Sequence, residues 1–466
     1  MNTIAKLHAA FLKHELSPVE VTKEYIERIE RYNKQLNAFV SVDQELALSQ
    51  AAFAEARFMR GEKTTPLTGI PVGLKDVIYT KDYVTTAGCG AFADFHSGYD
   101  AAVVDRLISQ GSVILGKTNL HQLCFGITGD RSFFGPPRNP YDIHRVTGGS
   151  SGGSAAGVSA DLCTVALGTD TGGSCRIPAA FCGVVGIKPT FGLISRYGVY
   201  PYSHTLDCMG MLSKTVQDSI LTLNALVGYD ARDPGSVARE DLLDPAIVQL
   251  GMEGMCAGVP INWERLIIDE EIKEAFYKVL RLMEARNVKI SYLDIPDLLP
   301  WKKARRCVQM HEAYEVNRVL IEQKREFLDE EIIKRFESFT YDADEYNASY
   351  QMLAKSRGFF EDIAGNADFV MIPTSPVQPT EINQRSFYVG DTEYGCIEQM
   401  TKFMWPCNMT GFPAMSVPIG LSSNSLPIGL QIMGKAFSET IIYRVAAEVE
   451  KEFGVLPPDE RAWEEH

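Results

Sequence analysis

The hydrophobic pattern changes period several times along the chain. Over residues 2–60 it is helical. Ser17-Pro18-Val19-Glu20 reads as a capping box with proline at the first helical position, and Val21, Tyr25, Ile26, Ile29 and Tyr32 follow as one apolar stripe. A strand-like run at 38–42 precedes an Ala-rich helix ending near Arg60. From about 69 to 210, short β-branched runs alternate with Gly/Ser/Pro loops, and 70–75, 112–116, 163–167 and 184–188 read as strands. A helix over 101–110, closed by Gly111, lies between the first two. Residues 250–300 give a strand–helix–strand set with a strand at 288–292, and 303–363 are mostly helical and rich in charge. Strands return at 369–372, 414–418 and 426–432, and a helix over about 438–452 follows. Residues after Pro457-Pro458 are expected to fray. Strands alternating with helices predict an α/β fold with a substantial sheet. No internal repeat or biased linker marks off a second domain.

Composition restricts what such a fold does. The chain has 466 residues, 45% hydrophobic and 23% charged, which is enough apolar mass for a large core. Length alone suggests about three domains. The net charge of −15 argues against a nucleic-acid backbone as the main partner, because phosphate binding needs clustered Lys and Arg. No apolar run approaches the ~20 residues of a membrane span. Ten cysteines are scattered with no Cys-x-x-Cys pair, which suits reduced thiols better than disulfides or a zinc site. The first twenty residues have charges interrupting their apolar positions and no cleavage-site pattern, so a cytoplasmic protein is expected.

The chemistry concentrates in two Gly/Ser segments, Thr147 to Ala155 and Gly168-Thr-Asp-Thr-Gly-Gly-Ser174. The second follows a buried-looking strand and leads into an apolar stretch, so it is held between core elements. Glycines before a serine allow close approach of a substrate and let backbone N–H groups converge on one point, as an oxyanion hole requires. A serine hydroxyl also needs a base. None of the eight histidines sits in a recognisable triad signature. Ser151 fits Gly-x-Ser-x-Gly spacing, without the order of acid and histidine that pattern requires. Lys75, at the end of an apolar strand, is the alternative. Lysine ordinarily has a pKa of about 10.4, so a base role demands a desolvating setting. Lys75 also reads as a surface lysine or one paired with Asp76. Gly111 to Thr118 matches the phosphate-loop pattern G-x-x-x-x-G-K-[ST], but its middle positions read as a strand and Gly111 ends a helix, so nucleotide binding is not expected. His311-Glu312 lacks the second histidine of a zinc protease, and the charges of 329–334 look like a solvated helix face.

Taken together these segments resemble the amidase signature family. Pro71-Val-Gly-Leu-Lys-Asp76 is similar to its lysine motif, and Gly148-Gly-Ser-Ser-Gly-Gly-Ser154 and Gly168 to Ser174 to its serine motifs. The likeness is strong over about 66–215, returns at 408–413 and 426–431, and is weak over about 235–365. It implies a single large domain with a twisted mixed β-sheet core surrounded by α-helices. The domain comprises an N-terminal helical segment (1–60), a catalytic core (66–215), a variable helix-rich substrate region (235–365) and a C-terminal return to the sheet (366–455). It implies a Ser–Ser–Lys triad: Ser174 the acylated nucleophile, Ser150 the bridging serine, usually on a cis peptide, and Lys75 the base. Backbone N–H groups of Thr171, Gly172, Gly173 and Ser174 are the expected oxyanion hole. Gly149, Ser151, Asp170 and Arg176 are expected to support the loop or touch substrate, Ser154 to bond within it, and Cys175 to be a buried neutral thiol.

The activity implied is hydrolysis of a small-molecule carboxamide, with no metal and no organic cofactor. Alternatives within the family are the glutaminase (A) subunit of glutamyl-tRNA(Gln) amidotransferase, which needs a partner subunit, or a hydrolase of a urea derivative. Two departures count against the amidotransferase. The stretch after Lys334-Arg335 is not Tyr- and Gly-rich, and Thr401 stands where an acidic residue for the substrate amino group is expected. Arg335 remains a candidate for a substrate carboxylate. Neither nucleic acid nor a membrane is expected to be bound directly. A homodimer is an expectation of the resemblance alone. Specificity is expected from the middle region, the 124–131 loop and the segment 370–410.

Overall fold

The computed structural model describes residues 2–239, 242–340 and 342–463. Its strands in chain order are β1 (Phe39–Val42), β2 (Pro71–Lys75), β3 (Val113–Thr118), the short pair β4 (Arg138–Asn139) and β5 (Asp142–Val146), then β6 (Val165–Asp170), β7 (Val185–Lys188) and β8 (Cys208–Ser213). They continue with β9 (Cys256–Pro260), β10 (Lys289–Leu293), β11 (Phe369–Pro373), the hairpin β12 (Ser386–Val389) and β13 (Thr392–Gly395), β14 (Ala414–Leu421) and β15 (Pro427–Met433). Eleven of them form one mixed sheet in the order β1-β3-β2-β6-β8-β7-β14-β15-β11-β9-β10. Because β1 and β15 share that sheet, the length-based count of about three domains gives way to one.

The strands that matter most are β3, β2 and β6, which run parallel to one another. All three are buried along their whole length, the condition that turns a strand into a continuous apolar run. Lys75 and Asp170 end neighbouring parallel strands, so both emerge at the same carboxyl edge, where open α/β sheets place their sites. β8 pairs antiparallel with both β6 and β7. No strand is predicted there from sequence, because Met209-Gly-Met-Leu212 carries too little β-branching to stand out.

Helices cover the sheet. The capping box is made: Ser17 Oγ accepts from Glu20 N–H at 3.1 Å and Glu20 Oε2 accepts from Ser17 N–H at 2.9 Å, opening the helix Pro18–Leu36. The helix Gly152–Ser159 is wholly buried against β2, β6 and β8. Its Gly/Ser/Ala composition, read as loop, is what allows it to pack so close: a Cβ at Gly153 would stand 2.4 Å from the Ala38 carbonyl oxygen. A separate apolar cluster of Leu206, Ala304, Val308, Leu353, Trp405 and Met409 seats the helices Leu299–Gln323 and Ala343–Ala364 beside the catalytic core.

The expectation of a fraying tail is corrected over 459–463. Trp463 is buried, donates to the Pro140 carbonyl at 2.6 Å and packs 5.3 Å from the Tyr32 ring, while Arg28 pairs with Glu460 at 2.7 Å. Residues 464–466, including His466, lie outside the described residues. The charges of 329–334 are corrected in part: Glu331 is bound by Arg385 at 2.9 Å rather than solvated.

Candidate active site

The site assembles from β2, the turn before the helix Gly152–Ser159, and the loop after β6. Lys75 is fully buried, and its ammonium nitrogen donates to Ser150 Oγ and Thr169 Oγ1, both at 2.7 Å. Its alternative reading as a surface lysine or a partner of Asp76 is thereby removed. The partner of Asp76 is Lys117, 3.5 Å away. Lys117 also donates to the carbonyl of Ile78 and to Thr85 Oγ1. Burial lowers its pKa to about 8, with Asp76 opposing. Both groups are engaged inside the fold, so the phosphate-loop pattern at 111–118 ends in a structural lysine on β3.

Ser150 follows a cis peptide bond from Gly149, and its carbonyl accepts from His121 N–H at 3.0 Å. Gly149 is required by crowding: a Cβ there would stand 2.7 Å from Gly129 N and 2.9 Å from the Gly126 carbonyl oxygen. Ser151 does not point to open space. Its hydroxyl donates to the Thr169 carbonyl at 3.2 Å, and its N–H donates to the Ser174 carbonyl at 3.2 Å, lacing the two serine segments together. Ser154 donates to Leu167 at 3.0 Å. Cys175 is buried, and burial pushes its thiol pKa up.

Ser174 lines a cavity of about 520 Å³. No hydrogen bond joins its hydroxyl to Ser150 Oγ, so of the two links in the expected relay the Lys75–Ser150 link is formed and the Ser150–Ser174 link is open. Asp170 and Arg176 brace the loop from inside. Arg176 forks onto the Asp170 carboxylate at 2.9 and 3.1 Å, and its remaining donors reach Asn408 Oδ1, Gln431 Oε1 and the Met404 carbonyl at 2.6–3.1 Å. Both side chains are fully buried. Burial alone would raise the Asp170 pKa, but the charge and hydrogen bonds of Arg176 and the amide of Asn408 outweigh it and hold the carboxyl far below its usual range.

One expected oxyanion donor is corrected. Gly173 N–H donates to Asp170 Oδ1 at 2.9 Å, so it is turned into the brace. Its φ of +108° and the 2.5 Å approach of Met404 to a Cβ at that position make glycine obligatory. The N–H groups of Thr171, Gly172 and Ser174 have no acceptor among the described residues. The Thr171 hydroxyl donates to Asp207 at 2.6 Å.

Sequence reasoning leaves several participants unassigned. Thr169, Asn408, Gln431 and Asp207 act on the loop through contacts between residues up to 255 positions apart, which no local pattern records. Glu312 is another: it accepts from Ser203, Thr205 and Tyr346, fixing the helix Leu299–Gln323 to the catalytic core. That helix forms one cavity wall, where Lys302, Arg305, Arg306, Gln309 and Met310 recur at helical spacing. No histidine lines the cavity, and no cluster of His, Cys, Asp or Glu suited to a metal occurs among the described residues. No described helix is long and apolar enough to cross a membrane.

The amidase family profile matches residues 20–442, most of the chain. The chain belongs to the amidase family. The A subunit of a glutamyl-tRNA(Gln) amidotransferase from Geobacter sp. (strain M21) is 35% identical, with 97% of each chain covered. Among solved structures, the peptide amidase of Stenotrophomonas maltophilia superposes with a TM-score of 0.85 at 28% identity, covering 98% of both chains. The A subunit of the Thermotoga maritima amidotransferase superposes at 0.79 with 32% identity, covering 98% of this chain and 97% of that one. As an amidase, the protein is an enzyme acting on carbon–nitrogen bonds of amides, built on a large mixed sheet surrounded by helices.

Proposed function

We propose that this amidase hydrolyses a small-molecule carboxamide through an acyl-enzyme on Ser174. The observation that carries the reading is the buried Lys75–Ser150 hydrogen bond, at 2.7 Å, next to a cavity-lining serine with unengaged backbone N–H groups. A rotation of the Ser174 side chain toward Ser150 closes the relay when substrate enters, since catalytic hydrogen bonds often tighten only in the complex. With Lys75 as the amine, the Ser174 proton passes to Ser150 and the Ser150 proton to Lys75. Ser174 Oγ attacks the carbonyl carbon, and the oxyanion is received by N–H groups of Thr171, Gly172 and Ser174. The relay then returns a proton to the leaving nitrogen, and water hydrolyses the ester by the same route.

The 35% identity to the Geobacter amidotransferase chain favours a second reading, in which the same triad releases ammonia from glutamine for a partner subunit. A hydrolase of a urea derivative uses the same chemistry. Ammonia release separates the readings: the purified chain alone is expected to release it from small carboxamides. Release from glutamine only, and only with added partner subunits, would overturn the first reading. Loss of release in Ser174→Ala and Lys75→Met, with both variants folded, tests the assigned roles.

A further inference from the structure

Residues 126–129 press on the peptide that carries Ser150. The Gly126 carbonyl and Gly129 N crowd Gly149, and a Cβ at Gly129 would stand 2.4 Å from the Gly148 carbonyl oxygen. The His121 ring packs onto Gly126, where a Cβ would stand 2.1 Å from its Cε1, while the His121 N–H donates to the Ser150 carbonyl. Where this loop sits therefore decides where Ser150 sits.

Asp130 ends the loop, and its carboxylate is full. Oδ1 accepts from Thr128 Oγ1 at 2.7 Å and Arg385 Nη2 at 3.2 Å, and Oδ2 accepts from Arg385 Nη1 at 2.9 Å and Asn383 N–H at 3.0 Å. Two donors on each oxygen use the capacity of a carboxylate, and the guanidinium supplies its half as a fork. Arg385 also ties down the rim. Its Nε donates to Glu331 at 2.9 Å, and its carbonyl accepts from Cys396 N–H at 2.9 Å, where the helix Cys396–Met400 begins. Ile397 and Glu398 of that helix line the cavity, as do Gly126 and Ile127 of the loop. Asp130 and Arg385 do not line it.

Asp230 supplies a matched pair elsewhere in the fold. Its carboxylate takes a fork from Arg232 at 2.9 and 3.0 Å, a hydroxyl from Ser195 at 2.8 Å and a backbone N–H from Arg232 at 3.0 Å. Burial opposes ionisation of both acids, yet the hydrogen bonds of Arg385 and Thr128 hold Asp130, and those of Arg232 and Ser195 hold Asp230, down to about 2. The two differ in what the carboxylate is attached to.

We infer that Asp130 and Arg385 are a positioning pair for the relay: their fork clamps the 126–129 loop against the Gly149–Ser150 peptide and so keeps the Ser150 hydroxyl on Lys75 and within reach of Ser174. This rests on the relay proposed above, and the pair acts through the loop rather than on the substrate.

The test compares the two acids. Asp130→Asn is expected to slow fluorophosphonate labelling of Ser174 and to lower kcat at least about tenfold, with KM within about threefold, because small misplacements of a catalytic group are costly. Asp230→Asn is expected to lower the thermal midpoint comparably and leave the labelling rate within about twofold. Arg385→Gln, at a partly exposed side chain, carries the same test if Asp130→Asn does not fold, and Arg385→Lys is expected to recover part of the rate. The double variant is expected to be no more than about twofold slower than the slower single one. A wild-type labelling rate in folded Asp130→Asn or Arg385→Gln, equal slowing in Asp230→Asn, a rise in KM alone, or multiplying effects in the double variant would overturn the inference. Wild type without an adduct on Ser174 would instead defeat the proposed function. Amide hydrogen exchange over 147–154, which needs no turnover, then decides the clamp: faster exchange in Asp130→Asn and not in Asp230→Asn supports it, and equal exchange in both overturns it.

Discussion

Arg176 and Arg305 both touch the loop that carries Ser174, and their surroundings differ in kind. Arg176 is sealed behind the loop, with Asp170, Asn408, Gln431 and the Met404 carbonyl taking its donors. Arg305 stands in the cavity wall with one long contact to the loop and a buried Nε left over. A buried charge with all its partners present holds a shape. A charge oriented but left unsatisfied in a cavity is set for something that arrives. The same residue type therefore stands as a fully satisfied brace on one side of the loop and as an incompletely satisfied charge in the cavity wall on the other, and substitutions separate the two.

The largest effect falls on neither arginine. Ser174→Ala is expected to lower amide hydrolysis by at least about 10⁴-fold in kcat while leaving the thermal midpoint within a degree or two, because the hydroxyl makes no hydrogen bond among the described residues. Retained turnover would place the nucleophile elsewhere. Next in size is the brace. Asp170→Asn removes one charge of a fully buried pair and is expected to cost about 3–5 kcal/mol by urea unfolding. The carboxyl is held far below its ordinary value, so its stabilisation is complete above about pH 4 and is lost as pH falls toward the folded-state value. A difference from wild type that grows on acidification would contradict that sign.

Arg335→Gln should reverse the profile: about a tenfold rise in KM for an acidic amide, with stability changed by less than about 1 kcal/mol. Comparable losses of stability from Arg335→Gln and Asp170→Asn would erase the distinction between wall and brace. The smallest effect lies away from the site. Glu450 accepts from Val216 N–H at 2.8 Å, and burial raises its pKa to about 7, with the charge of Asp218 adding to that. Its raised value favours the protonated form in the folded state. Its contribution is thus present below about pH 4.5 and lost as pH rises through about 7. Glu450→Gln keeps the acceptor and is expected to stabilise by about 1–2 kcal/mol at pH 8 and by nothing near pH 4, read from melting curves.

Much of this site is legible in the sequence because its chemistry is local. Lys75, Ser150 and Ser174 lie in three short motifs whose glycines are demanded by backbone crowding, and the order of those motifs points to the family and hence to the sheet. Asp170 and Arg176 are six residues apart and are expected from sequence to support the loop; in the structure they form a fully buried ion pair. What stays hidden depends on distance or on direction. Asn408 and Gln431 reach the loop from more than 230 residues away. Gly173 groups with its neighbours as an oxyanion donor in the sequence, and only the backbone path shows its N–H turned inward. The stripe of Lys302, Arg305, Arg306 and Gln309 has plain helical spacing, but periodicity cannot separate a polar face toward water from one toward a cavity. The helix Gly152–Ser159 is obscured by its composition, since the small residues that let it pack are the ones that signal loops.

The account turns on a single nucleophile fed by a single base, and intact-mass spectrometry after fluorophosphonate treatment tests that most directly. Wild type is expected to gain one adduct, mapped to Ser174, Lys75→Met to gain it far more slowly, and Ser174→Ala to gain none. An adduct of the same yield on folded Ser174→Ala, or none on folded wild type, would contradict it.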